Sequence, residues 1–328
     1  MKKAIVLLLA LAVLGGAVFA QDAPALKFSG ALFGGLTYDN ATNDLLFNRW
    51  YGAGTTDNMF RVRLNGSYTN GNIGAAFRLQ TNDATNPTFT RAFGWATFFD
   101  GLLKVNVGKL GDYTWATAWN LFGNFDGSEG MQFILAPIDG LSLGFFLPEN
   151  IAADGVKIDT QMQDLDFGFA YSMSGLGKVV GGYMMTPTAG HRAYFGIDVT
   201  AVENLLARVE GNFTNLGGEK TAATYLWERF GYTMGDLYAQ LTLDQNFYAD
   251  SAKELALSVT PYVSYNLADW TFGTGFTYVI NEEGVKDANT WSLDPHATLA
   301  IKNGELEVGA SIMKDEKYRI YTMWTFNF

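Results

Sequence analysis

Between residues 60 and 68 the chain changes character at every step. Phe60, Val62, Leu64 and Tyr68 fall on one parity and Arg61, Arg63, Asn65 and Ser67 on the other. A helix would mix these sets around its axis, whereas a strand sends successive side chains to opposite faces and separates them. The same period returns at Leu165, Phe167, Phe169, Tyr171 and Met173, which alternate with Asp166, Gly168, Ala170 and Ser172. It returns again at 270–280 and at 305–312. The pattern predicts about eighteen strands, with sixteen as the neighbouring even count, the first near 26–38 and the last near 318–328. Their connections alternate in length. Asn70-Gly71, Asp100-Gly101, Asp139-Gly140 and Asn303-Gly304 are tight-turn dipeptides, while 39–57, 111–128 and 149–162 are long.

The bulky face of each strand is apolar, and the other face is rich in Gly, Ala, Ser and Thr rather than in charge. A soluble sandwich turns a charged face to water. Small and polar side chains suit a wet lumen better. Apolar residues make up 48% of the chain, yet mean hydropathy is only +0.03, as expected when each lipid-facing residue has polar lumen-facing neighbours. No run after residue 20 is long and apolar enough for a transmembrane helix. The reading is all-β: a transmembrane antiparallel up-and-down β-barrel with short turns on one side and longer loops on the other. An even strand number places both termini on the turn side.

The first residues supply an address. Lys2 and Lys3 precede an apolar run from Ala4 to Leu14, Gly15 and Gly16 break it, and Val18-Phe19-Ala20 offers a cleavage site after Ala20. Residues 1–20 are therefore expected to be a signal peptide, and 21–328 a single barrel domain. Losing Lys2 and Lys3 takes the net charge from −11 to −13. So acidic a chain does not suit nucleic acid, which selects basic surfaces. It has no cysteine, hence no disulfide and no thiolate metal site.

In the final strand Tyr318, Ile320, Trp324, Phe326 and Phe328 share one parity, with Thr322 between Ile320 and Trp324. This resembles the terminal strand of Gram-negative outer-membrane proteins, and the architecture as a whole resembles the porins. The resemblance implies an outer-membrane location, contact with its lipid, and recognition of Ile320, Trp324, Phe326 and Phe328 by the barrel-assembly machinery. It leaves a homotrimer open. In porins the third outer loop folds into the barrel and narrows it. The corresponding segment, 111–128, carries Asp112, Asp126, Trp115, Trp119, Phe122 and Phe125, with Glu129 at its exit. The resemblance implies that these acids face a basic wall of Arg61, Arg63, Arg78 and Lys104, setting a transverse field across the pore; the other reading is that the charges are solvated lumen side chains. Arg91 does not fit the bulky-outside rule, since it shares parity with Phe89, Phe93 and Trp95. Either it stands at the rim or the faces of that strand are reversed.

Catalysis finds little support. Ser292, Asp294 and His296 share a strand face, but residues two apart on a strand are about 6.6–6.8 Å apart, too far for direct hydrogen bonds unless side chains bend together. No His and carboxylate set has metal-ligand spacing, and no cofactor motif is present. The function expected is passive diffusion of small hydrophilic solutes. The alternatives are a transporter selective for a sugar or an apolar compound, using the loop aromatics as a stacking surface, and a surface adhesin or structural barrel.

Overall fold

The computed structural model of the chain describes residues 24–48, 61–81, 87–119, 122–149, 165–185, 190–217, 223–248, 250 and 252–328. The expected signal peptide and its cleavage site, and Phe60, lie outside these residues. The described chain holds nineteen strands, β1 (Ala25–Asp39) to β19 (Tyr318–Asn327). From β3 onward each pairs antiparallel with the next in sequence, and β1 pairs with β19 from Ala31↔Asn327 to Asp39↔Arg319, closing the sheet on itself.

The closed circuit has eighteen members. The extra strand is β2 (Asp44–Asn48), inside the segment that the sequence reads as a loop. It pairs with the loop end of β1, Gly35↔Asn48 to Asp39↔Asp44, while β3 (Arg61–Asn70) takes the turn end of the same edge, Phe33↔Arg61 to Ala25↔Thr69. β2 therefore extends the wall above β3 without adding a member to the circuit.

The exposed apolar side chains mark the outer face: Val62, Leu64, Phe167, Phe169, Tyr171, Val308, Ile312, Ile320 and Phe326. The wall is two side chains thick, so a dry core cannot form within it. One forms inside the barrel instead, where Leu110, Trp115 and Phe125 meet Ile134, Phe146, Ala170 and Val180.

β5 (Pro87–Phe98) has its faces reversed relative to the bulky-outside rule. Its register with β4 (Ile73–Thr81) sets Arg91 opposite Arg78 and Phe93 opposite Ala76, on the inward parity. Phe93 packs on the interior core, and small Ala92, Gly94 and Ala96 take the outer face. A register shift between Arg78 and Leu79 returns Phe89 to the outside, where it is exposed. Arg91 is thus an inward residue.

Candidate interior site

β6 (Leu103–Lys109) and β7 (Glu129–Ile138) are joined by a segment that turns into the barrel. Its apolar content drives this. Leu110 and Trp115 are 0% exposed and Phe125 only 3%, a burial unavailable in water above the rim. The wall has a hollow to receive them. A Cβ at Gly168 would overlap the Trp115 indole, and one at Gly144 would crowd it; Phe125 lies on Phe146 with ring centres 4.6 Å apart.

Polar bonds fix the root of the segment. Asn106 donates to Gln132 Oε1 at 2.7 Å, and Gln132 Nε2 donates to Asp112 Oδ1 at 2.8 Å. Asp112 also accepts from the Thr114 backbone N–H and hydroxyl, at 2.9 and 3.0 Å. Pairing with Gln132 satisfies a carboxylate that burial would otherwise leave costly. Farther along, the Trp119 backbone N–H donates to Glu210, a fully buried carboxylate of β12 (Leu205–Leu216). The Trp119 ring lies 4.9 Å from that of Trp227, and the Arg229 guanidinium sits 4.2 Å from its centre. Both residues belong to β13 (Ala223–Met234). The segment therefore arches along the inner wall from β6 to β13. Several inward side chains of the strands between 237 and 327, among them Thr242, Tyr262, His296 and Thr298, remain partly open to solvent.

On its return the arch meets arginines. Asp126 accepts from Arg91 through both oxygens, with Nη2 at 2.8 Å from Oδ2, and Arg78 Nη1 lies 3.6 Å from the same carboxylate. Tyr113 donates to Asp126 Oδ2 at 2.6 Å and accepts from Arg91 at 3.0 Å. Burial alone would raise the Asp126 carboxyl, but bonds from Arg91 and Tyr113 and the charges of Arg91 and Arg78 outweigh it and hold it below the usual aspartate range. Burial and the adjacent Asp126 push the Tyr113 phenol up, so it stays protonated and donates. Arg63 completes the group, packed over the Phe33 ring at 5.3 Å and bonded to Gln80 at 3.1 Å.

The expected site residues thus fall into separate places. Arg63, Arg78 and Asp126 come together, with Arg91 and Tyr113 added. Arg61 is inward and buried at the loop end of β3. Lys104 is inward at the turn end of β6, with its ammonium 5.9 Å from the Trp95 ring. Asp112 is spent on the wall rather than on the lumen. Glu129 stands on the outer parity with Met131 and ion-pairs with Lys109 at 3.4 Å. The acid does not confront a basic wall across a gap; Asp126 rests directly on it. The aromatics divide likewise, Trp115 and Phe125 in the core, Phe122 against Tyr225 at 5.9 Å, and Trp119 44% exposed at the far end.

No protein-family model and no curated protein matches the chain. Its fold is similar to solved structures that it covers almost end to end. OccK3 (OpdO) of Pseudomonas aeruginosa is 9% identical, over 97% of this chain and 99% of that one, with a TM-score of 0.63. OmpT, an outer membrane protein of Vibrio cholerae solved in a trimer form, is 14% identical over 94% and 100%, with a TM-score of 0.57. A mutant of the Rh. blastica porin is 15% identical over 93% and 100%, with a TM-score of 0.53. The chain has the fold of a Gram-negative outer-membrane porin. At these identities the likeness is one of fold.

Within this porin fold the Ser292, Asp294 and His296 face also departs from expectation. Ser292 donates to Asp294 at 2.9 Å, because the two side chains lean together across a spacing that keeps their backbones apart. His296 contacts the Asp294 backbone carbonyl at 3.2 Å and the Tyr262 hydroxyl at 3.3 Å. These contacts do not form a relay from serine through histidine to carboxylate. Sequence reasoning passed over Glu210, Trp227 and Arg229, the far anchors of the arch. Tyr225, Trp227 and Arg229 share one parity, and an arginine on a bulky parity is the same signal that Arg91 gave on β5.

Proposed function

We propose that the chain is a channel of the outer membrane that passes small hydrophilic solutes by diffusion, beside the arch formed by 110–119 and 122–128. The observation that carries this is the docking of that segment inside a closed eighteen-member barrel, anchored at Asp126–Arg91 and at Trp119–Glu210. A barrel of this size encloses an aqueous lumen, and an arch pinned at both ends narrows it without filling it. Export by the expected signal peptide and insertion by the barrel-assembly machinery belong to this reading. So do contact with outer-membrane lipid and use of the terminal aromatics as the assembly signal.

Two arginines share one aspartate and a third stands beside them, so Arg63, Arg78, Arg91 and Asp126 carry a formal charge of +2 where the arch meets the wall. The local charge, not the acidic total, sets the field that a permeating ion meets in a confined low-dielectric passage. Weak anion preference follows. The sugar-selective alternative loses ground, because Trp115 and Phe125 are buried and the Trp119 ring is already engaged by Trp227 and Arg229.

Planar-bilayer recording tests the proposal. Stepwise conductance that grows linearly with salt supports a diffusion channel. Absence of steps from folded protein rejects it, and a current that saturates with one solute favours a selective transporter.

A further inference from the structure

The outer face of β13 and β14 (Leu237–Phe247) carries a polar pair where lipid is expected. In register, Val209, Leu226, Phe230, Leu241 and Leu243 point outward around it. Glu228 shares their parity, and so does Gln245, whose Nε2 donates to Glu228 at 2.9 Å. Among the described residues, every other charged or amide side chain on the outward parity stands in the first or last two positions of its strand, such as Lys109, Glu129 and Asn215. Glu228 is midway along β13, about 14 Å above the turn at Met234 on an apolar band about 25 Å tall. A carboxylate at that depth needs partners that hydrocarbon cannot give. Gln245 satisfies one of its oxygens and keeps a carbonyl and a second N–H.

We infer that this face is a subunit interface against a second copy of the chain, related by a two-fold axis along the membrane normal. The pair holds both a donor and an acceptor, so it complements its own two-fold image, Gln245 of one protomer donating to Glu228 of the other. The two side-chain ends meet, hence lie at one depth, and an axis along the normal preserves depth. The inference rests on the barrel spanning a membrane, but not on its conducting.

The lack of any cysteine gives a clean background for cross-linking. In reconstituted bilayers, Leu243→Cys, beside the pair, is expected to yield a disulfide-linked pair on mild oxidation, and sedimentation of the detergent-solubilised parent chain is expected to give the mass of two copies and nothing larger. Leu79→Cys, on the outer face of the opposite wall, is expected to stay monomeric. Adding Glu228→Leu and Gln245→Leu to the Leu243→Cys chain should cut the linked fraction by about tenfold, the scale of an intramembrane hydrogen-bonded contact. Heat-modifiable gel migration shows that each variant is folded, and single-channel conductance should not change, because neither side chain faces the lumen. A monomer, cross-linking through Leu79→Cys, a sedimentation mass of three copies, association with another protein only, or a dimer indifferent to loss of the pair overturns the inference. Loss of conductance in the parent chain would instead reject the channel reading and leave the interface standing.

Discussion

Asp126 grips the Arg91 guanidinium with both carboxylate oxygens, joining the return limb of the arch to β5. The contact is charge-assisted and only partly open to solvent, with 23% of the Asp126 side chain exposed. Asp126→Asn should loosen this end of the arch by about 1.5–3 kcal/mol. Bilayer recordings should then show noisier open states, with global thermal stability little changed. The pH dependence follows from the depressed Asp126 carboxyl. A carboxyl lowered on folding stabilises the docked state fully above its unfolded value, about 3.9, and loses that contribution as pH falls through the lower folded value. Open-channel noise should stay flat from about pH 5 to 8 and rise only in strong acid; a rise near neutrality would show that another group controls the arch.

Trp115 holds the middle of the arch by packing alone. It is 0% exposed and seated over Gly144 and Gly168. Trp115→Ala removes a fully buried indole and should destabilise docking by about 3–5 kcal/mol. Gly168→Val fills the same hollow from the wall side and should expel the indole. Both variants should raise single-channel conductance while keeping the barrel's strand signal in circular dichroism. Reduced conductance in either would mean that the displaced segment blocks the lumen.

The wall was legible in the sequence because period-two alternation persists through nearly every strand and needs no tertiary knowledge. The interior was legible only in part. Phe93 points inward because the arch supplies a dry surface there, and Trp95 packs beside it on the same parity, so the rule that bulky means outside fails under a docked loop. The register shift at Arg78 and Leu79 splits β5 into two parities, which no alternation count reveals. Nearness to the loop suggests the lumen for Glu129, yet its strand parity turns it outward to Lys109. The pairing of Asp126 with Arg91 joins residues 35 apart, and only the fold brings them together. The inward bulky faces had a visible signal, the misfit of Arg91 on β5 and of Arg229 on β13.

The arginine group should govern ion preference. Arg63→Glu with Arg78→Glu takes its formal charge from +2 to −2, counting Arg91 and Asp126 as unchanged. Reversal potentials in a salt gradient should move from anion-favouring to cation-favouring. The difference should shrink toward 1 M salt, where the screening length falls to about 3 Å. Arg61→Glu, at the loop end of β3, should add to the shift in the same direction. Lys104→Glu, at the turn end beside Trp95, should move it less. Equal effects from Arg78 and Lys104 would place the selective region elsewhere in the lumen.

Closure of the barrel should depend on Gly30 and Phe328. Phe328 N–H donates to the Gly30 carbonyl at 3.0 Å, and Gly30 N–H donates to the Phe328 carbonyl at 2.7 Å. The Phe328 ring covers Gly30 so closely that a Cβ there would overlap it. An aromatic laid over a glycine in this way restores the packing the glycine lacks and pins the register of the seam. Gly30→Val keeps both backbone bonds possible but drives the ring off, whereas Phe328→Ala removes the ring and leaves the backbone free to pair. If the seam depends on the ring lying flat over β1, both variants should slow folding into detergent micelles or bilayers, and the double variant should be no slower than Gly30→Val, because both changes abolish one contact. Additive slowing would show that the two residues act separately. An unchanged folding rate in both single variants would show that the backbone ladder from Ala31 to Asp39 closes the barrel without help from its last aromatic.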